Sequence, residues 1–176
     1  MTVPIAIDEL YSRYSRLVVA YLRGQGAVDP EDLASEVFVG VLRGLDRFDG
    51  DEAAFRSWVL VIAHRRLLDD RRRRGRKPSD AVQPHQLYGL PDRGHLGDVE
   101  GAALERLGTD VVRAALDRLT DDQRTVVLLH TVGGLTLPQI SEMLGKRLAA
   151  VKSLHRRGLA AAARAISDTP DLEVRP

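Results

Sequence analysis

Cationic side chains dominate a stretch of the chain whose chemistry suits contact with a polyanion. This arginine-rich run extends over residues 64–77 and includes only two acids, Asp69 and Asp70. Like charges four residues apart destabilise a helix, and the two aspartates offset only part of that repulsion. Each phosphate neutralised by such a run releases counterions. We therefore predict nucleic-acid contact here, the alternative being a solvated helix end.

A second stretch with recognition chemistry lies at residues 134–158 and consists of two predicted short helices joined by a tight turn. Thr136 is suited to be the N-cap of the first helix, and Pro138 falls in its first turn. Gly145 can adopt the left-handed conformation that ends it. The pattern predicts a helix-turn-helix whose second helix lies in a DNA major groove. The alternative is an ordinary helical hairpin with a solvated basic face.

The second helix of this pair combines an apolar side with small and cationic residues. Leu148, Val151 and Leu154 recur at helical spacing and are predicted to face the core. Small residues early in the helix allow a close approach to the bases, and cations can reach phosphates or guanine edges. The residues predicted to face outward are Ala149, Ala150, Lys152, Ser153, His155 and Arg156.

Composition and the remaining motifs argue against catalysis. The 176 residues carry a net charge of +1 and no cysteine. The histidines are scattered without an i, i+4 pair, the acidic pairs mostly occupy predicted helix starts, and no glycine-rich loop follows a strand. We predict no enzymatic activity, no cofactor and no metal site. No segment approaches the about 20 apolar residues of a membrane span, and we expect a soluble cytoplasmic protein without membrane insertion.

The elements that would position these residues are helices throughout. Helices are predicted from Ile7 to Arg23, from Asp29 to Leu45, and from Ala53 into the arginine-rich run. Prolines and glycines then break the pattern, and a helix near Leu104–Leu119 precedes a capping box, Thr120 to Gln123, that starts the next helix. Strand signals are almost absent. The predicted fold is all-α, with two small helical domains (residues 1–77 and 102–168), a flexible linker (78–101) and a disordered tail (169–176).

With these motifs in order, the chain resembles the extracytoplasmic-function sigma factors, small subunits of bacterial RNA polymerase. The motifs that carry the resemblance are Asp8–Tyr11 with Tyr14, Glu31–Phe38, Arg47–Gly50, Phe55–Trp58, the arginine-rich run, Leu116–Thr120, Gln123-Arg124, Gly134–Thr136, Ile140 and Val151–Ser153. Each motif alone is weak evidence for the family, but both predicted domains contain their motifs in the order found in the family.

The resemblance implies a protein that binds core RNA polymerase and directs promoter-specific initiation. The outer face of the second helix would contact the β′ clamp helices, through Asp32, Ser35, Glu36 and Arg43. The first domain would recognise and melt the −10 DNA, through Phe48, Asp49, Phe55, Trp58, His64, Arg65, Arg66, Arg71, Arg72 and Arg73. The second domain would contact the β flap and read the −35 element, through Arg147, Ala149, Ala150, Lys152, Ser153, His155 and Arg156. The resemblance also implies an anti-sigma partner.

Some positions depart from the family pattern, and one other function fits part of the chain. The family usually has Gln where Ser35 stands, often has Ser or Thr where Arg147 stands, and often has Arg where Leu154 stands. The alternative is a stand-alone helix-turn-helix regulator whose first domain senses a ligand. The arginine-rich run argues against that alternative, because a sensor domain does not need a second polyanion site.

Overall fold

A computed structural model describes residues 7–75 and 110–168 of the chain. The predicted linker (78–101) and tail (169–176) lie outside the described residues, as does the start of the helix predicted near Leu104. Those predictions therefore remain predictions.

The described residues form seven α-helices and one short 3-10 helix, and no strand occurs among them. In chain order the α-helices are α1 (Ile7–Gly24), α2 (Pro30–Gly44), α3 (Glu52–Arg73), α4 (Asp110–Asp117), α5 (Asp121–Thr131), α6 (Leu137–Leu144) and α7 (Leu148–Ser167). The 3-10 helix, Leu45–Arg47, lies between α2 and α3. The predicted all-α fold is confirmed.

The first three helices form one bundle, whose helix starts are fixed by aspartates. The Asp29 carboxylate accepts from the backbone N–H of Asp32 at 3.0 Å, and the Asp51 carboxylate accepts from that of Ala54 at 2.8 Å. Each cap satisfies a backbone donor that has no partner within the helix. The helix that was predicted to begin at Asp29 is thus capped by that residue.

Helices α4–α7 form the second bundle, which contains the predicted helix-turn-helix. Thr120 and Thr136 each form a complete capping box with the glutamine three residues later. Gly145 ends α6 with φ 62°, a left-handed conformation that favours glycine. Helix α7 begins at Leu148 without a side-chain cap from Arg147. The predicted sequence of cap, short helix, glycine turn and second helix is confirmed.

The two bundles touch through α5, which packs against α1 as well as against α6 and α7, and through Gly133 just after it, which approaches Leu60 of α3. Buried apolar side chains form one continuous core across both bundles. The sequence patterns predicted two domains and gave no sign of this contact between them.

The capping box at Thr136 gives a test of what positions the helix-turn-helix. Thr136→Ala removes the hydroxyl that accepts from the Gln139 N–H, so we expect the free energy of unfolding to fall by about 1 kcal/mol. Urea denaturation followed by circular dichroism measures this. Thr131→Ala is the matched control, because the Thr131 hydroxyl is exposed and bonds only the Val127 carbonyl of its own helix. Equal losses for the two variants would contradict the capping role.

Candidate nucleic-acid interfaces

The arginine-rich run forms the C-terminal part of α3, and the structure separates its members by exposure. Arg65, Arg72 and Arg73 are exposed, whereas Arg66 is half-buried. Arg71 is also half-buried and donates to the Gln25 carbonyl at 2.6 Å. Four of the cations predicted to bind DNA phosphates therefore reach the surface, and the fifth is held to the end of α1.

Acidic side chains neutralise part of this cationic surface. Asp70 is buried, and its two carboxylate oxygens share the single Nε–H of Arg74, at 3.0 and 2.9 Å. Glu36 of α2 lies 3.5 Å from Arg73 and 3.9 Å from Arg66. From the sequence, only the two aspartates of the run were expected to offset the repulsion between its arginines. Glu36 is a third acid that does so, and it comes from another helix. The remaining excess of arginines keeps this end of α3 positive.

His64 does not lie with the exposed arginines, because its side chain is only 6% exposed. The Gln25 amide donates to the Tyr21 hydroxyl at 3.1 Å, and this hydroxyl lies 2.9 Å from His64 Nδ1. A single hydrogen bond thus joins the hydroxyl to Nδ1, and the imidazole tautomer sets its direction. Burial, followed by the charge of Arg71, lowers the pKa of His64 to about 4. Its predicted phosphate contact does not occur in this arrangement, since the ring is uncharged and enclosed.

Three aromatic rings pack together under the loop between α2 and α3. Phe48 stacks on Trp58 with ring centroids 5.1 Å apart, and both rings meet Phe55 at 5.2–5.6 Å. Phe55 is buried, while Phe48 and Trp58 are half-buried. Asp49 is exposed at the tip of this loop. Of the residues predicted to act on −10 DNA, Phe55 is thus a core residue, and one face of Trp58 is covered by Phe48.

The recognition helix α7 presents most of the predicted side chains to the outside. Val151 is buried and Leu154 is half-buried against the core, as predicted, whereas Leu148 is half-buried without packing on the core cluster. The exposed members of the predicted −35 set are Arg147, Ala149, Ala150, Lys152 and Arg156. Ser153 is half-buried. The first turns of α7 therefore offer small residues flanked by cations, the surface that base-edge readout requires.

His155 was predicted to face outward, but its side chain is half-buried. Its ring meets His130 of α5 edge to face, with centroids 4.6 Å apart. Its Nε2 is buried without a hydrogen-bond partner in the part of the chain that the structure describes. Burial and the neighbouring His130 both lower the pKa of His155. Within residues 7–75 and 110–168, no group of three metal-ligating side chains occurs.

The outer face of α2 holds the residues predicted to bind polymerase, together with two apolar side chains. Asp32, Ser35 and Arg43 are exposed, and Glu36 is half-buried by its arginine partners. Val39 and Leu42 lie on the same face and are 45% and 37% exposed. Sequence reasoning singled out neither Val39 nor Leu42 on this face. Their spacing from Ser35, at i+4 and i+7, was the signal that could have found them.

Both halves of the chain match families of known proteins. The family described as Sigma-70 region 2 matches residues 10–77, and the family described as Sigma-70, region 4 matches residues 109–161. The ECF RNA polymerase sigma factor SigK of Mycolicibacterium vanbaalenii is 32% identical over 158 residues, which cover 88% of this chain and 76% of that protein. The chain belongs to the extracytoplasmic-function family of RNA polymerase sigma factors. It is accordingly a transcription initiation factor, with the DNA binding and polymerase association of that family.

Solved sigma factor structures have the same fold as this sigma factor. RpoE of Bartonella quintana, in complex with the anti-sigma factor NepR, aligns with a TM-score of 0.64 and 18% identity over 92% of this chain and 98% of that one. CnrH, in complex with the cytosolic domain of CnrY, aligns with a TM-score of 0.60 and 20% identity over 92% of this chain and 88% of that one. Among the described residues, none of the helices has the length and apolar character needed to cross a membrane.

Because His64 is buried and its pKa is lowered, we predict that the free energy of unfolding depends on pH. The unfolded chain takes up a proton near the ordinary pKa of 6.5, whereas folded His64 does so near 4. The folded pKa is depressed, so the unfolded state binds more protons between these values and stability falls as the pH drops. We expect a loss of about 2 kcal/mol between pH 7.5 and pH 5 from this residue.

Urea unfolding of His64→Gln at both pH values measures this contribution, because glutamine does not titrate. Between pH 7.5 and pH 5, the free energy of unfolding should fall by about 2 kcal/mol less in the variant than in the wild type. His155→Gln is the matched control and should keep the His64 contribution. The same pH dependence in His64→Gln as in the wild type would contradict the assignment.

Proposed function

We propose that this sigma factor binds core RNA polymerase and directs initiation by recognising both promoter elements and melting the −10 DNA. Residues 1–77 would bind polymerase and act on the −10 element, and residues 102–168 would read the −35 element. The observation that carries this proposal is one chain with two separate cationic surfaces, at the end of α3 and along α7, on two different sigma regions. A protein that reads two DNA elements needs two such surfaces.

Polymerase docking is assigned to the outer face of α2. This face mixes exposed apolar side chains, Val39 and Leu42, with the charged Asp32 and Arg43. Apolar centres with polar rims are typical of protein interfaces. The β′ clamp helices are the proposed partner of this face, and the β flap is the proposed partner of residues 102–168.

Action on the −10 element is assigned to the loop around Asp49 and the exposed arginines of α3. The Phe48–Trp58 stack joins this loop to α3, so a base that displaces Phe48 would meet the indole face that Phe48 now covers. Base stacking on aromatic rings is worth about 1–3 kcal/mol per base. Arg65, Arg72 and Arg73 would hold the phosphates of the adjoining DNA.

Reading of the −35 element is assigned to α7. Ala149 and Ala150 allow close approach to the groove, and Lys152 and Arg156 are within the first three turns of the same helix. His155 would act indirectly, because its packing on His130 fixes how α7 lies on α5.

An anti-sigma protein is the second proposed partner. The structure of the sigma factor RpoE with the anti-sigma factor NepR supports this, and CnrH, which has the same fold, likewise forms a complex with CnrY. Large apolar side chains are exposed on both bundles, at Tyr11, Val39, Leu42, Leu159 and Ile166. Such side chains favour a covering partner when polymerase is absent. Because transcription takes place on the chromosome, the proposal places the protein in the cytoplasm.

Run-off transcription with purified core polymerase over a genomic promoter library tests the proposed function. We expect transcripts that start at defined sites only when the protein is added. The alternative, a stand-alone regulator, predicts tight DNA binding without polymerase and no recovery of core polymerase in a pull-down. That pair of results would overturn the proposal.

The apolar centre of the docking face gives a direct prediction. Val39→Lys should weaken the affinity for core polymerase by about 1–2 kcal/mol, or about five- to thirtyfold, because it places a charge in the contact. Fluorescence anisotropy of labelled protein titrated with core polymerase measures this. Val28→Lys is the matched control, since Val28 is exposed to 59% but lies before α2, outside the docking face. Equal effects of the two variants would argue against this face.

The recognition helix gives a second prediction. Lys152→Ala and Arg156→Ala should each lower −35-dependent initiation, because both exposed cations lie on the outer face of α7. A loss of about 1–3 kcal/mol confined to the preferred −35 sequence would indicate base readout, whereas a uniform loss would indicate phosphate contact. Arg164→Ala, near the end of α7, is the control and should leave initiation unchanged. Wild-type initiation by both variants would exclude α7 as the reading helix.

A further inference from the structure

Two histidines meet inside the second bundle, where the recognition helix packs on α5. The ring of His155, in α7, meets the ring of His130, in the last turn of α5, edge to face with centroids 4.6 Å apart. Both side chains are half-buried. His155 lies one helical turn after Lys152, which is exposed on the outer face of α7. The geometry of this pair therefore affects where the proposed reading side chains stand.

His130 also holds the turn that leads into α6. Its Nδ1 lies 2.8 Å from the Leu135 carbonyl oxygen. A carbonyl oxygen can only accept, so Nδ1 carries a hydrogen and, in the neutral ring, Nε2 does not. Leu135 is 2% exposed and is followed directly by Thr136, the N-cap of α6. One imidazole on α5 thus contacts both the turn before α6 and the recognition helix.

His155 has a ring nitrogen that is poorly placed to receive a proton. Its Nε2 is buried and has no hydrogen-bond partner within the part of the chain that the structure describes. A proton there would be enclosed without an acceptor, and the charge that comes with it would be partly desolvated. Burial, and then the charge of His130, lower the pKa of His155. The pair therefore packs best when both rings are neutral.

The charged groups around the pair do not favour a proton on it. Helices α4, α5 and α6 pack against α7. The titratable and charged groups on these three helices are Asp110, Arg113, Asp117, Asp121, Asp122, Arg124, His130 and Glu142. Asp117 lies 3.7 Å from Arg124, and Asp122 lies 3.1 Å from Lys146, so these two acids have cationic partners of their own. On α7 itself the neighbours of His155 are the exposed cations Lys152, Arg156 and Arg157.

We propose that His130 is a positioning residue for −35 reading, which fixes α7 against α5 through neutral His155, and that protonation of the pair displaces α7. This proposal rests on the proposed function, because only a promoter reader uses α7 in this way. Two charged rings in such close contact repel each other. The folded pKa of His155 is depressed, so −35 preference should be complete above its ordinary value of 6.5 and lost as the pH falls below it.

Run-off transcription from two promoters in one reaction measures the −35 preference. Both templates have the same −10 element, one has the preferred −35 sequence and the other a scrambled one, and their transcripts differ in length. The ratio of the two transcripts cancels the effects of pH on polymerase, on −10 melting and on uniform attraction to phosphates. For the wild-type holoenzyme the ratio should fall by about fivefold or more between pH 7.5 and pH 5.5, equivalent to one lost base contact.

Two substitutions separate the two contacts of His130. His130→Phe keeps an aromatic ring against His155 but does not titrate, so the ratio should change by less than about twofold over this range. His130→Asn keeps an N–H donor for the Leu135 carbonyl but removes the ring, so the ratio should be low at both pH values. Thr131→Ala, at the exposed neighbouring residue, is the matched control and should behave as the wild type.

Each outcome of this experiment decides the role of the pair. A wild-type ratio that does not change with pH would overturn the proposal. So would a His130→Phe ratio that falls as steeply as that of the wild type, because a merely structural role leaves the pH profile unchanged. Absence of wild-type transcripts at pH 7.5 would instead overturn the proposed function.

A spectroscopic measurement on the wild type covers the case in which the His130 variants do not fold. Long-range proton–nitrogen NMR spectra of the full chain at pH 7.5 should show the His130 hydrogen on Nδ1. On acidification, the backbone amide resonances of α7 around Lys152 should shift with the same midpoint as the His155 ring. A His130 hydrogen on Nε2, or α7 resonances that do not follow the ring, would overturn the proposal whether or not transcripts are obtained.

Discussion

The burial of α5 on several sides at once is the constraint on which the rest of the structure depends. Residues 125–129 are all buried, although the helix is only Asp121–Thr131. A helix that is apolar nearly all round must be enclosed by other elements. Helices α6 and α7 enclose one part of it, and α1 approaches another. The position of the recognition helix and the contact between the bundles are therefore both set by the packing of α5.

Charge is organised around the need to keep an arginine-rich helix folded in the absence of DNA. Asp69, Asp70 and Glu36 pair with arginines of α3, and the Gln25 carbonyl accepts from Arg71. The exposed ion pairs among these contacts, those of Asp69 and Glu36, contribute little stability, so they are readily exchanged for phosphate contacts. The same surface can therefore be neutral enough for the free protein and cationic enough for DNA.

A chain of buried hydrogen bonds from Thr125 to His64 links α5 to the arginine-rich helix α3. It runs through Gln25 and Tyr21, and it contains a neutral imidazole and an amide oxygen without a partner. Polar groups enclosed in a low dielectric are specific in geometry and costly when incomplete. A contact built on such groups distinguishes two arrangements of the same helices better than an apolar contact would.

The sequence alone determined the features that depend on near neighbours in the chain. Thr136, Gly145 and the capping box at Thr120 act on backbone groups within four residues, so their types and spacing were enough to predict the helix ends. Helical periodicity placed Val151 in the core for the same reason. The order of family motifs likewise needed no coordinates.

Only the tertiary structure decided which side chains remain at the surface where helices meet. His64 and His155 lie in cationic stretches and were predicted to be exposed contacts, but α1 and α5 cover them. Val39 and Leu42 lie in an apolar helix, yet no other described helix covers them. Periodicity identifies the face of a helix but not the partner that buries it, because burial depends on elements distant in sequence. The contact of α5 with α1 is such a long-range arrangement, and it was decided by the way the two bundles pack.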